Sequence, residues 1–163
     1  MSVAFMGAEN SVLLSNLDME LQRTLFGLLS SLYDGGYRYF YSGLYEGFDL
    51  IAAEMVEMMK MRGGRDDARL ITVITTDAQA SDYAPHNRTQ FADLLARADH
   101  PFVIGQQFPG SKLTVEDEFI DKCALVVCWD DGEDGDLTFS LDKARKDGLQ
   151  IMNFRDIHRE ETE

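Results

Sequence analysis

The segment Ser42-Gly-Leu-Tyr-Glu-Gly-Phe-Asp49 places a hydroxyl, two glycines and a carboxylate between a strand pattern and a helix pattern. Glycine lets a backbone approach an anion closely, and the start of the next helix offers free N–H groups and a positive dipole end. We therefore predict that Ser42, Gly43 and Gly47 form an anion cradle. Asp49 either caps the helix or accepts hydrogen bonds from a ribose or an amine. Turns also use glycine for their own geometry, so a purely structural turn stays open.

A second candidate turn, Trp129-Asp-Asp-Gly-Glu-Asp-Gly135, follows the most hydrophobic strand pattern in the chain. Gly132 and Gly135 permit a tight backbone there. The four carboxylates of this turn would repel a phosphate but suit sugar hydroxyls or a divalent cation. The spacing is not that of an EF-hand, and we predict no metal. Asp130 is a candidate ligand-binding residue, and Ser140 in the next helix is predicted to face the same pocket. A solvated acidic turn is the alternative.

A third turn, Met6-Gly-Ala-Glu-Asn-Ser11, follows the first strand pattern. Gly7 would let a ligand lie over the backbone, so we include it among the candidate ligand-binding residues. Asn10 and Ser11 are instead typical of turn or helix-capping positions, and we predict that role for them.

Charge limits the classes of partner that the protein can bind. The chain carries 29 acidic and 15 basic residues, a formal net charge of −14. Such a surface repels nucleic-acid phosphate and anionic lipid, and the most basic stretch, 58–65, is short. The sequence lacks both a long apolar run and a signal-peptide pattern. We expect a cytoplasmic protein that binds neither nucleic acid nor membrane, and homo-oligomerisation is left open.

The two cysteines, Cys123 and Cys128, lie five residues apart in one apolar run. On a strand this spacing places them on opposite faces, so they cannot pair with each other. We interpret them as buried structural thiols. His86, His100 and His158 show no metal-ligand spacing, and no cofactor is predicted.

Short β-rich runs alternate with longer helical patterns along the chain. Strands are predicted at 3–6, 37–41, 70–75, 101–104, 124–129 and 149–153, and helices at 17–32, 50–61, 87–98, 114–122 and 137–146. Thr114 is predicted to cap the fourth helix, with Asp117 at capping-box spacing. The alternation predicts an α/β fold, a three-layer sandwich with a mostly parallel sheet. Ligands bind beyond the carboxyl ends of such strands, near the point where the strand order reverses. We expect one domain, 1–154, and a charged, frayed tail, 155–163.

A family resemblance is carried by Phe40-Tyr-Ser-Gly-Leu-Tyr-Glu-Gly-Phe-Asp-Leu-Ile-Ala-Ala-Glu54. This segment resembles the strand, Ser/Thr-Gly-Gly-x-x-Gly-x-Asp turn and Ala-Glu helix of the YpsA-type branch of the SLOG superfamily. That superfamily is related to the DNA-processing protein DprA and to the LOG phosphoribohydrolases. Leu44 stands where the pattern has its second glycine. The family's Thr-Gly-His-Arg is here Met6-Gly-Ala-Glu9, and its Gly-Gly-Thr is Gly135-Asp-Leu137. The resemblance extends over about residues 2–154.

The resemblance implies a Rossmann-like fold that binds a nucleotide or nucleotide-derived small ligand, as a sensor or regulatory module. It adds Glu54, behind the pocket, to the candidate ligand-binding residues. An enzyme cleaving the N-glycosidic bond of a nucleotide is the alternative, with Glu54 or Asp49 as acid/base or ribose ligand. The phosphoribohydrolase signature Pro-Gly-Gly-x-Gly-Thr-x-x-Glu is absent from the sequence, which argues against their reaction. A degenerate protein-interaction scaffold, using the Met-rich predicted helix, is the third hypothesis.

Overall fold

A computed structural model describes residues 1–14, 18–105 and 110–162. The strands are β1 (Ser2–Gly7), β2 (Tyr39–Ser42), β3 (Arg69–Ile74), β4 (His100–Val103), β5 (Leu125–Trp129) and β6 (Gln150–Asn153). They form one sheet in the order β4-β3-β2-β1-β5-β6, and every pairing is parallel. The predicted α/β fold with a parallel sheet is confirmed. Leu17 of the first predicted helix and residues 106–109 of a predicted loop lie outside the described residues.

Helices cover both faces of the sheet and make it the middle of three layers. They are α1 (Met19–Asp34), α2 (Phe48–Arg62), α3 (Pro85–Arg97), α4 (Ser111–Lys122), α5 (Gly135–Lys146) and α6 (Phe154–Thr162). Buried apolar residues of α1, α2, α3 and α6 share one core with the sheet, and those of α4 and α5 share a second core. Short 3-10 helices at Glu9–Leu13 and Gln79–Asp82 follow β1 and β3. The arrangement is that of a Rossmann-like sandwich.

The strand order reverses at β1, and this reversal locates the candidate site. β2, β3 and β4 lie on one side of β1, while β5 and β6 lie on the other. Because all the strands are parallel, the loops after β1, β2 and β5 meet at one edge of the sheet. Gly7 ends β1 and Ser42 ends β2 at that edge. Open α/β sheets bind their ligands at such a switch point.

The helix that precedes β5 begins earlier than the sequence predicted. α4 starts at Ser111, after Gly110, whose φ of +91° is a conformation that favours glycine. The prediction that Thr114 caps this helix, with Asp117 in a capping box, is therefore wrong. The longer helix places Lys112 and Glu116 one turn apart on the same face.

Residues 155–162, which were predicted to form a frayed tail, instead belong to helix α6. The first residue of α6, Phe154, is fully buried, and its ring lies 6.0 Å from that of Phe48 and 6.2 Å from that of Trp129. His158 lies one turn further along and packs against Trp129 and Phe154, with ring centroids at 6.2 Å and 5.9 Å. These aromatic contacts, which charge alone does not reveal, hold α6 on the domain.

The cysteines differ from expectation in one respect. Cys123 lies at the end of α4 and not on β5, so it shares the α4–α5 core with Cys128, and the prediction of opposite faces is wrong. Both are buried free thiols, as predicted. Burial raises the pKa of each thiol to about 12, which keeps it protonated and unreactive.

Candidate functional site

The hydroxyl of Ser42 is used within its own turn. It donates to the Asp49 carbonyl at 3.1 Å and accepts from the Leu44 amide at 3.0 Å, and Ser42 is fully buried. Leu44 has a φ of +55°, in the left-handed region where the family pattern has glycine, and its side chain is fully buried. The Gly43 carbonyl accepts from the Gln79 side chain at 2.8 Å. The turn is thus fixed by contacts within the protein.

The N-terminus of α2 is covered by the 3-10 helix that follows β1. The buried Ser11 hydroxyl accepts from the Phe48 amide at 3.1 Å, in the first turn of α2. Gly47 precedes this turn with a φ of +109°, and a Cβ there would lie 2.5 Å from the Ser11 hydroxyl oxygen. Ser11 therefore has the predicted capping role, but it caps α2 and not its own helix. Its hydroxyl occupies the position expected for an anion.

Replacing Ser11 with alanine should lower the free energy of unfolding by about 1 to 2 kcal/mol, because the buried Phe48 amide loses its acceptor. Urea denaturation measures this loss. Ser31→Ala, at an exposed position of α1, is the matched control and should change stability by less than about 0.5 kcal/mol. Equal effects of the two substitutions would contradict the capping role.

Gly7 and Asp49 contact each other beneath the site. A Cβ at Gly7 would lie 2.9 Å from an Asp49 carboxylate oxygen, so this glycine makes room for protein atoms. The Gly7 carbonyl accepts from the Lys112 ammonium at 2.7 Å. Burial raises the pKa of the Asp49 carboxyl to about 6, although Lys112 and a hydrogen bond with the Gly7 backbone both lower it. Asp49 is therefore a buried carboxylate that interacts electrostatically with Lys112, and it is not a capping residue.

A pocket of about 390 Å³ lies directly beside these groups. We call it the switch-point pocket, because its walls come from the loops after β1, β2, β3 and β5 and from α4. It is lined by Glu9, Val12, Tyr45, Glu46, Tyr83, Lys112, Leu113, Glu116, Asp134, Asp136 and Leu137. Its volume falls in the range of small-molecule sites, and its position is where the fold predicts a ligand.

Glu116 is the most unusual residue in the lining of the switch-point pocket, because its carboxylate is buried and only partly hydrogen-bonded. The residue is only 3% exposed, and one carboxylate oxygen, Oε1, accepts from the Ser140 hydroxyl at 2.9 Å. The other, Oε2, is buried and has no hydrogen-bond partner among the described residues. Burial raises the pKa of this carboxyl to about 7, with Lys112 opposing the shift and Asp49 increasing it. A buried carboxylate oxygen without a partner, on a residue that lines a pocket, makes Glu116 a candidate ligand contact.

Tyr45 contributes a second unsatisfied group. Its hydroxyl is buried and has no partner in the part of the chain that the structure describes. Burial raises the pKa of this hydroxyl, so it remains a donor at any physiological pH. The Lys112 ammonium lies 5.2 Å from the centre of the Tyr45 ring, a cation–π contact. Tyr45 and Glu116 thus give the pocket a donor and an acceptor.

The acidic turn contributes Asp134 to the pocket. Asp134 caps α5 by accepting from the Leu137 amide at 3.0 Å, and its other oxygen accepts from the Glu9 amide at 2.8 Å. Asp130 accepts from the Gly132 amide at 2.9 Å, which forms a local turn. A Cβ at Gly132 or Gly135 would meet nothing within 4 Å, so both glycines lie in open space. Neither glycine nor Asp130 lines the pocket.

Glu54 lies away from the other candidate residues. It is on α2, where it pairs with Arg97 of α3 at 3.0 Å and lines a separate surface hollow with Met58 and His86. Of the remaining candidate residues, Ser140 reaches the pocket through Glu116, and Gly7 and Asp49 reach it through Lys112. The structure therefore brings Gly7, Ser42, Gly43, Gly47, Asp49 and Ser140 to one edge of the sheet and leaves Glu54 outside.

No protein-family model matches the chain, and no curated protein matches it significantly. The SLOG resemblance accordingly stays a prediction from the residues that carry it. The described helices include none that is long and apolar enough to cross a membrane. Within the described residues, no group of three or more His, Cys, Asp or Glu is placed to hold a metal ion.

None of the eleven residues that line the pocket was among the predicted ligand-binding residues. Four of the missed residues carry most of its polar chemistry: Tyr45, Lys112, Glu116 and Asp134. Lys112 and Glu116 are separated by four residues, the spacing of one helical face, but the predicted helix start at Thr114 assigned Lys112 to a loop. Asp134 carried a usable signal, because aspartate immediately before a helical pattern is typical of an N-cap. Nothing in the sequence indicated that the Tyr45 hydroxyl would be buried without a partner.

Proposed function

We propose that this protein binds a nucleotide-derived small ligand in the switch-point pocket and acts as a sensor or regulatory module. One observation supports this proposal above all others. Glu116 is buried at the pocket wall with a carboxylate oxygen that lacks a partner among the described residues. Leaving a buried carboxylate oxygen unpaired is costly, and a ligand donor such as a ribose hydroxyl would remove that cost.

Two further observations favour a nucleotide-derived ligand. The pocket lies at the point where strand order reverses, at which Rossmann-like folds bind nucleotides. Its lining combines the rings of Tyr45 and Tyr83, which suit a nucleobase, with carboxylates, which suit sugar hydroxyls. The family resemblance at Ser42–Glu54 agrees with the same class of ligand.

Binding is tested by melting temperature and isothermal titration calorimetry at pH 8 against ribonucleosides, their 5′-phosphates, NAD and ADP-ribose. At least one compound should stabilise the protein. Glu116→Gln should weaken its binding by about tenfold or more, because a hydrogen bond to a charged acceptor is lost. Glu57→Gln is the matched control, since Glu57 is equally buried, at 4% exposure, but lies on α2 outside the pocket.

Two results would overturn this proposal. If no compound in the panel stabilises the protein, the scaffold hypothesis takes its place. If Glu57→Gln weakens binding as much as Glu116→Gln does, the ligand does not sit in the switch-point pocket.

A second candidate function, cleavage of an N-glycosidic bond, is favoured by one observation. Burial raises the pKa of Glu116 to about 7, so near neutral pH a share of the molecules carries a proton there that could be given to a departing base. Glu54 pairs with Arg97, which makes Glu116 the better candidate for this role. Incubation with nucleosides and nucleoside monophosphates, followed by chromatography for free base, tests it. Absence of free base would leave ligand binding alone.

A further inference from the structure

Two of the helix N-termini at this edge of the sheet, those of α2 and α5, are already occupied by the protein's own acceptors. Ser11 accepts from the Phe48 amide at the start of α2, at 3.1 Å. Asp134 accepts from the Leu137 amide at the start of α5, at 3.0 Å, and places a carboxylate where a phosphate would otherwise bind. At these two helices, amides that phosphates ordinarily use in this fold are therefore taken.

The charge of the pocket wall also opposes a phosphate. Its lining includes a single cation among the described residues, Lys112, which is bound to the Gly7 carbonyl at 2.7 Å. The same lysine also interacts electrostatically with the buried carboxylates of Asp49 and Glu116 and lowers the pKa of both. The lining carboxylates are Glu9, Glu46, Glu116, Asp134 and Asp136. A phosphate in this pocket would meet an excess of negative charge, added to a net charge of −14 on the chain.

The unsatisfied groups suit an uncharged ligand instead. Oε2 of Glu116, on a side chain only 3% exposed, needs a donor, and the Tyr45 hydroxyl is available as a donor. Sugar hydroxyls both donate and accept, so they match these two groups in chemical kind. Resting on the proposed function, we infer that the switch-point pocket binds an uncharged nucleoside in preference to its 5′-phosphorylated form. The protein then responds to the concentration of free nucleoside, which is the product of a phosphatase-type or nucleotidase-type reaction.

The inference is tested by calorimetry at pH 8 in magnesium-free buffer, with adenosine, guanosine, cytidine and uridine, each compared with its own 5′-monophosphate. At least one nucleoside should bind about tenfold or more tightly than its monophosphate. A monophosphate that binds as tightly as its nucleoside, or more tightly, overturns the inference and leaves the proposed function standing. No binding by any compound of either class or by the wider panel overturns both.

A charge variant shows whether the pocket itself sets the preference. Asp136 is exposed at the mouth of the pocket, and Asp136→Asn should bring the monophosphate affinity about threefold closer to that of the nucleoside. Asp142→Asn removes the same charge from the exposed side of α5, outside the pocket, and should leave the ratio unchanged. An equal change in both variants would assign the preference to overall charge and overturn this site-specific inference.

Discussion

Replacing Gly47 with alanine is expected to lower the free energy of unfolding by about 4 kcal/mol. Two effects add. The φ of +109° at Gly47 is strained for any residue with a side chain, and the new methyl group would lie 2.7 Å from the Val12 nitrogen and 2.7 Å from the Ser11 carbonyl carbon. Because the nearest backbone atoms cannot rotate away, the 3-10 helix must move off the α2 N-terminus. The measurement is urea denaturation monitored by the fluorescence of Trp129.

Gly132→Ala separates the two effects. Gly132 also has a positive φ, +85°, but a Cβ there would meet nothing within 4 Å. This variant carries the backbone strain alone and should lose about 1 kcal/mol. The difference between the variants is an upper bound on the cost of the close contact between Gly47 and the Ser11 segment, because the ψ of −131° at Gly47 adds its own backbone strain. Equal losses would show that this contact does not hold the 3-10 helix over α2.

The central strands of the sheet could be predicted from the sequence because they are buried on both faces. Val3–Met6 and 125–128 are almost wholly buried, and strands in that environment appear as continuous apolar runs. Helix ends were less predictable, because a cap depends on one residue's backbone conformation. Gly110, with its left-handed φ, begins α4, whereas Thr114 carried the more familiar capping side chain.

The position of the site could be predicted from the sequence, but the residues and contacts that form it could not. The turn at Ser42–Asp49 does lie at the switch-point edge, as its glycines indicated. The closure of that turn depends on Ser11, which is separated from Phe48 by 37 residues, and no local pattern encodes such a contact. A glycine that makes room for a ligand and a glycine that makes room for a serine have the same sequence signature.

Glu116→Gln is expected to be more stable than the wild type at pH 8. Its advantage in the free energy of unfolding should be about 2 kcal/mol larger at pH 8 than at pH 5. The pKa of Glu116 is about 7 in the folded protein, whereas 4.5 is the ordinary value for glutamate and applies to the unfolded chain. Between these values the folded state holds a proton that the unfolded chain lacks. The stabilisation from this proton is complete below about pH 4.5 and is lost as the pH rises through 7. Glutamine stays neutral throughout, so the variant avoids the loss.

The measurement is the free energy of unfolding of both proteins by urea denaturation at half-unit steps from pH 5 to pH 8. Asp49, Asp134 and Ser140 on neighbouring elements and Lys112 on the same helix are unchanged in the variant. The difference therefore reports on the Glu116 carboxyl and its coupling to Asp49, whose pKa of about 6 lies in the same range. Glu118→Gln is the control on the same helix. It removes only an exposed ion pair with Lys122 and should cost less than about 1 kcal/mol at any pH. A flat difference for Glu116→Gln would contradict the raised pKa.

The same variant separates a structural role of Glu116 from a functional one. A carboxyl kept for structure should stabilise the fold, whereas this one is expected to destabilise it near neutral pH because it is buried. Functional sites are where proteins keep such unfavourable groups. Glu116→Gln should therefore be more stable without ligand at pH 8 and yet gain less stability from the ligand that stabilises the wild type. If the variant is instead less stable at pH 8 and binds the ligand as the wild type does, Glu116 serves the fold through Ser140 and the pocket has another purpose.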